Sequence, residues 1–400
     1  MSIDAFDLQK CQKVWNRLAE DPNLEENLLA VLKKLRKDHE LSEASLIVAQ
    51  ALLHKKALRK FPPEMVSKML FLEEALEQAT AWPLAQHRAQ MLNECAKEGP
   101  FLDLGCGLGS DSLALAHYRE VMAYDLDKQR LNCLVFNSQA LNLPVSCFND
   151  DYLKAELPQA GAIFADPARR VKSGKRVLAA EEAIPPLSEI MKLSGRLQLP
   201  TAVKLAPSFD KSQLKLYPGA SLEFVGTHKE CREAVLWLNL PTPAFCQASL
   251  LQKDGTWFME RLPAQAENDQ VETGPLKSDS YLYELEPVLL RAGFLKIMAC
   301  KLKAHLFDPQ VSWLISESFE PTPLAEAFKI TEVGHFTVKK LQKRLQELEI
   351  GILEIKKRNS AVEPDILRRK LHLTEGSSKS ATVFITRQMG KPTFMLAERL

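Results

Sequence analysis

The sequence is poor in several things, and each shortage closes off a class of function. No stretch of about 18 apolar residues occurs and no signal peptide opens the chain, so neither a membrane-spanning helix nor a secretory leader is expected. The eight cysteines are scattered, without a C-x-x-C pair or a Cys/His cluster. That argues against a zinc site or a disulfide framework and suits reduced thiols in the cytoplasm. The formal net charge is only +1, so overall charge selects no partner. Residues 1–92 hold almost no glycine, and Glu25–His39 and Glu43–Arg59 carry apolar residues at helical spacing. An N-terminal helical domain is expected there, its cations Lys33, Lys34, Arg36 and Lys37 forming a solvated helix face.

Glycine gathers where it is informative. Phe101–Leu104 is a short apolar run with the look of a buried parallel strand, and Ser110–His117 reads as the helix that follows. Gly105, Gly107 and Gly109 fill the turn between them, where the missing Cβ lets backbone come close to a ligand. A dinucleotide turn spaces its glycines G-x-G-x-x-G and faces a pyrophosphate. Here Ser110 stands where that third glycine would be, and Asp103 lies two residues before the first one. A carboxylate there repels a pyrophosphate but can receive an ammonium. A P-loop is excluded because no Gly-Lys-Ser/Thr follows. The run DLGCGLG resembles motif I of the class I S-adenosylmethionine-dependent methyltransferases, D-x-G-x-G-x-G, at every position.

Val121–Tyr124 reads as the second strand, ending in Asp125, placed to accept ribose hydroxyls; Asp127 is the N-cap of the next helix. Val145–Phe148 reads as the third strand. Asp150 and Asp151 follow it, and in the methyltransferases an acid or amide at this point takes the adenine amino group. The pattern leaves both open. Ala162–Ala165 is a fourth apolar run, ending in Asp166-Pro167-Ala168-Arg169-Arg170. This segment resembles motif IV of nucleic-acid methyltransferases, with Ala168 as a departure and no aromatic to stack on a flipped base. Asp166, Pro167 and Arg169 are the candidate catalytic residues. Asp166 would accept the acceptor's N–H, and Pro167 would stiffen the loop. No cysteine lies near Asp166 or after the fifth apolar run, Thr201–Leu205, which argues against carbon methylation of a pyrimidine. Arg169, Arg170, Lys172, Lys175 and Arg176 put five cations in eight residues beside the reacting face.

Beyond about residue 326, runs of strand and helix character follow in the order βαβαββ, suggesting a small ferredoxin-like α+β unit. From Lys329 onward there are 15 Lys/Arg against 8 Asp/Glu. Clusters at Lys339-Lys340, Lys343-Arg344, Lys356-Lys357-Arg358 and Arg368-Arg369-Lys370 suggest RNA contact.

Taken in order, LEQAT, DLGCGLGSD, FADPARR, YLYELEPVLLRAG and the tail TVFITRQMGKPTFMLAERL resemble the class I methyltransferases that carry a C-terminal THUMP-like domain. The resemblance covers nearly the whole chain. It implies a Rossmann-like domain over 93–240, an extension over 241–325 and a THUMP-like α+β domain over 326–400. It also implies S-adenosylmethionine as cofactor. THUMP domains proper deliver RNA to modification enzymes, so the expected acceptor is a base nitrogen of structured RNA, tRNA or rRNA. The alternatives are a methyltransferase for a protein or small molecule, or a non-catalytic cofactor- or RNA-binding protein.

Overall fold

The computed structural model describes residues 8–169, 171–172, 175–176, 181, 183–264 and 270–400. It divides into two compact units: one holds the chain up to Glu223 together with Glu233–Phe245, the other Phe224–Arg232 and Cys246–Leu400.

The first unit opens with helices α1 (Leu8–Ala19), α2 (Leu28–Leu35), α3 (Leu41–Ala57), α4 (Pro63–Val66), α5 (Glu73–Gln78) and α6 (Trp82–Cys95). Trp15, His54 and Phe71 meet edge to face in their core. The basic helix α2 buries none of its residues, as a solvated face should.

Next come β1 (Phe101–Leu104), α7 (Ser110–Leu115), β2 (Val121–Tyr124), α8 (Lys128–Leu141), β3 (Val145–Phe148) and β4 (Ala162–Ala165). Short strands β5 (Ala168–Arg169), β6 (Val171–Lys172), β7 (Lys175–Arg176) and β8 (Ala183–Ile184) lie in the loop after β4. Helix α9 (Leu187–Leu197) and β9 (Thr201–Leu205) follow, then β10 (Ser221–Thr227) and β11 (Glu230–Leu238), of which Phe224–Arg232 belongs to the second unit.

The sheet runs β11-β9-β4-β1-β2-β3. β1 pairs in parallel with β2 and β4, β2 with β3, and β4 with β9, while β11 is antiparallel to β9. β1 and β4 are buried at every position because helices cover both faces, which explains their continuous apolar runs. The loops after β1, β2, β3 and β4 therefore open at one edge of the sheet, where ligands of such sheets bind. The helical segment is fastened to this sheet. Asn137 of α8 accepts from Leu70 N (2.6 Å) and donates to Leu70 O (3.1 Å).

In the second unit a hairpin, β12 (Phe245–Leu251) and β13 (Trp257–Pro263), precedes β14 (Tyr281–Leu285), α10 (Pro287–Ala292), α11 (Leu295–Lys301), β15 (His305–Leu306) and β16 (Trp313–Ser316). The tail is β17 (Ala325–His335), α12 (Val338–Glu347), β18 (Ile352–Lys357), α13 (Pro364–Lys370), β19 (Ser380–Gln388) and β20 (Lys391–Arg399), the βαβαββ order expected. Its sheet is wider than a four-stranded tail would make alone. β14, β15 and β16 join it in the order β15-β16-β14-β17-β20-β19-β18. One apolar cluster joins Leu282, Trp313, Phe328 and Phe384; another joins Leu341 and Leu345 of α12 and Leu367 of α13 with Val383 and Leu396 of the sheet.

Candidate functional site

The glycine turn is wired from within. Gly105 N and Cys106 N donate to Tyr124 O (2.9 and 3.1 Å), and Gly109 N to Cys106 O (2.8 Å). All three glycines have positive φ, at +86°, +55° and +89°. They differ in what a side chain would meet. At Gly105 a Cβ would lie 2.9 Å from the Asp166 backbone oxygen, and at Gly109 it would lie 2.2 Å from Leu134 Cδ1. At Gly107 it would meet nothing within 4 Å. Gly109 is thus required by packing of the turn on α8, whereas the space over Gly107 is open to a ligand.

Asp103 sits at the third position of β1, fully buried. Ser112 Oγ donates to its Oδ2, while Oδ1 has no hydrogen-bond partner among the described residues; nor has the buried Ser110 Oγ. Burial, with the carboxylates of Asp111, Asp166 and Asp125 nearby, pushes the Asp103 carboxyl well above its ordinary range. A buried carboxylate oxygen lacking a donor is a place for a cation.

Asp125, at the end of β2, accepts from Gly107 N through Oδ2 (2.8 Å) and from Asp127 N through Oδ1 (2.8 Å). Each oxygen keeps a second lone pair for a ribose hydroxyl. Asp127 caps α8 as expected, accepting from Gln129 N and Arg130 N. After β3, Asp151 accepts from Leu153 N (3.1 Å) and pairs with Lys154 (2.9 Å), a bond that holds its carboxyl below the usual range. Asp150 is exposed and among the described residues accepts only the Asp151 N–H (2.7 Å). This turn leaves Asp150 the freer of the two for an adenine amino group. Tyr124 and Phe148 stack at 4.9 Å beside them.

Asp166 follows β4, its N–H bonded to Leu104 O (3.1 Å), so the β4 loop lies directly against the end of β1. Its Oδ2 receives Lys204 Nζ at 2.7 Å, and that ammonium also reaches Thr80 Oγ1 at 3.1 Å. Beneath lies Arg88 of α6, buried. It donates to Asp111 Oδ1 (2.9 and 2.6 Å), to Glu233 and to Thr80 Oγ1 (3.4 Å), with its guanidinium 4.7 Å over the Phe164 ring. Burial would lower both cations; for Arg88 the carboxylates of Asp111 and Glu233, and for Lys204 those of Asp166, Glu233 and Asp111, outweigh it and hold them above their ordinary ranges. Sequence reasoning missed Lys204, Arg88, Thr80 and Glu233. A lone lysine inside the apolar run Thr201–Leu205 was the available signal.

Pro167 is buried. Arg170 lies outside the described residues; of Arg169, Lys172, Lys175 and Arg176 only the backbone is described, in β5, β6 and β7. In the second unit Lys356, Lys357 and Arg358 are taken up by neighbours. Lys356 pairs with Glu284 and with Glu326 (2.9 Å), Lys357 with Glu363 (2.5 Å), and Arg358 with Glu284 (3.2 Å) over the Trp313 ring. No group of three or more potential metal ligands occurs among the described residues.

The site fits S-adenosylmethionine on its own evidence: an unpaired buried carboxylate oxygen, an open glycine and an acid at the end of β2. Comparison with known proteins agrees. Residues 325–399 match the family described as THUMP domain-like. Uncharacterized S-adenosylmethionine-dependent methyltransferases from two strains of Mycobacterium tuberculosis are each 27% identical over 352 residues, covering 86% of this chain and 93% of theirs. The chain is an S-adenosylmethionine-dependent methyltransferase that carries a THUMP-like domain at its C-terminal end. A Porphyromonas gingivalis W83 protein solved as a candidate methyltransferase shares this methyltransferase's fold over 98% of the chain and 99% of its own, with TM-score 0.77 and 21% identity. No described helix of the methyltransferase is long and apolar enough to cross a membrane.

Proposed function

We propose that this methyltransferase modifies a base nitrogen of structured RNA, tRNA or rRNA. One observation carries the reading: the THUMP-like domain presents free cations from two adjacent helices. Lys339 and Lys340 of α12 and Lys370 of α13 are exposed and have no ion-pair partner among the described residues. Arg368 and Arg369 are exposed and donate to backbone oxygens of Leu353 (2.8 Å) and Asp365 (3.3 Å). Gln342 ties the helices together, donating to His372 O and accepting from His372 N, each at 2.7 Å. Such a face suits phosphates, whose neutralisation dominates nucleic-acid affinity.

S-adenosylmethionine supplies an activated methyl group on a sulfonium, so the protein's main task is positioning. In this reading Asp103 receives the ammonium, Asp125 the ribose and Asp150 the adenine amino group. Asp166 Oδ1 accepts the acceptor's N–H. It would take that proton as the nitrogen gains the methyl group that the bound cofactor would supply, with S-adenosylhomocysteine as the other product. Pro167 and Arg169 shape the same loop, and Arg170, Lys172, Lys175 and Arg176 hold RNA near the reacting atom.

The test is incubation of the protein and labelled cofactor with RNA from a strain lacking the gene, followed by digestion to nucleosides. A labelled N-methylnucleoside is expected. Label that appears only in protein or small molecules, or nowhere, ends the RNA reading.

A further inference from the structure

The sequence pointed to Asp166 as a lone acid at a strand end. In the structure it is one terminus of a chain of polar side chains that begins in the helical segment: Thr80 Oγ1, Lys204 Nζ, Asp166 Oδ2. The Lys204 side chain is only 12% exposed, whereas that of Asp166 is 35% exposed. The ammonium thus meets the carboxylate from its buried side, and the carboxylate is the more exposed of the pair. Among the described residues no hydrogen bond engages Asp166 Oδ1. We propose that Lys204, held by Thr80, is a positioning residue for methyl transfer: it fixes the Asp166 carboxylate through Oδ2 and leaves Oδ1 to accept the incoming N–H. The proposal rests on the reading of Asp166 as the group that meets the acceptor.

The charge balance around Asp166 explains why such a residue is needed. Asp103 of β1 and Tyr152, just past β3, face Asp166, and Asp111 and Glu233 belong to the same cluster. Carboxylates crowded together repel one another, so a local cation is needed to hold Asp166 in one orientation. Arg88 is also near but is committed to Asp111 and Glu233. Lys204 bonds to the carboxylate directly. Thr80 prevents the lysine from swinging out, giving the LEQAT segment a part in the chemistry.

The test compares wild-type protein with Lys204→Met and Lys204→Arg, each bound to S-adenosylhomocysteine. The Asp166 carboxyl is followed by its carbon-13 NMR signal in aspartate-labelled protein at one pH, with Asp166→Asn to assign it. Loss of the adjacent ammonium should move that signal in the methionine variant, and the arginine variant should restore it. On RNA, kcat should fall by about 10²-fold in the methionine variant and recover in the arginine variant, with KM for the cofactor unchanged. Thermal melts establish that each variant is folded. An Asp166 carboxyl signal that is the same in wild type and a folded Lys204→Met overturns the proposal, whatever the substrate. A displaced signal in a protein that methylates no RNA upholds Lys204 and removes the RNA reading instead.

Discussion

Alanine placed at Gly107 and at Gly109 should fail in different ways, although the two glycines look equivalent in the motif. Both have positive φ, so each alanine incurs about 1–2 kcal/mol of backbone strain. At Gly107 the new Cβ meets nothing within 4 Å, and strain is the whole stability cost. At Gly109 the Cβ would sit 2.2, 3.0 and 3.1 Å from three atoms of the buried Leu134 side chain. Overpacking of that kind adds about 1–3 kcal/mol, for a total of roughly 2–5 kcal/mol. Gly107→Ala should therefore remain folded with a modestly lowered melting temperature. It should lose S-adenosylmethionine affinity by at least about tenfold, or about 1.4 kcal/mol, because the open space above the turn is where the cofactor is expected. Gly109→Ala should lose mainly stability, and adding Leu134→Ala should cost less than the sum of the two single changes, since the second removes the clash made by the first. Chemical denaturation and titration calorimetry on the same preparations separate the two effects. Unchanged cofactor affinity in Gly107→Ala would refute the placement of the ligand, and equal stability of the two single variants would refute the steric argument.

Asp125→Ala should weaken cofactor binding by about 1.5–3 kcal/mol, measured by calorimetry; unchanged affinity would put the ribose elsewhere. His54 is buried, with its ring nitrogen 3.0 Å from Met69 O, and burial lowers its pKa to about 4 from 6.5 in the unfolded chain. The unfolded state binds the extra proton between those values, so stability is complete above about pH 6.5 and falls as pH drops toward 4. Denaturant melts should show a loss of about 2 kcal/mol between pH 7.5 and 5, flattened in His54→Gln. Glutamine at Lys339, Lys340 and Lys370 should lower RNA affinity and reduce the salt slope by up to about 0.9 for each phosphate no longer neutralised, with cofactor binding intact; a slope that does not change places the RNA elsewhere. Lys356→Met, by contrast, leaves the Glu284 and Glu326 carboxylates short of a partner and should lower the melting temperature of the second unit more than any of those three changes.

The cofactor turn, the order of strands that carries it and the βαβαββ tail are all legible in the amino-acid sequence, because those features are local. Three alternating glycines, an acid two residues before them and an acid closing the next strand are fixed by spacing along the chain, and alternation of apolar runs with helical periods sets the topology. How the charged residues are used follows instead from the folded chain. The cluster Lys356-Lys357-Arg358 reads as a nucleic-acid contact, yet the fold brings Glu284 and Glu326 against it from strands that are not its neighbours in the sheet order. Asp150 and Asp151 are indistinguishable as letters, and only the turn that gives Asp151 to Leu153 N and Lys154 separates them. Lys204 meets Asp166, 38 residues earlier in the chain, because β4 and β9 pair in parallel with Ala165 opposite Val203. An ion pair depends on separation in space, and separation in space between distant residues is set by the packing of strands and helices, which no local pattern records.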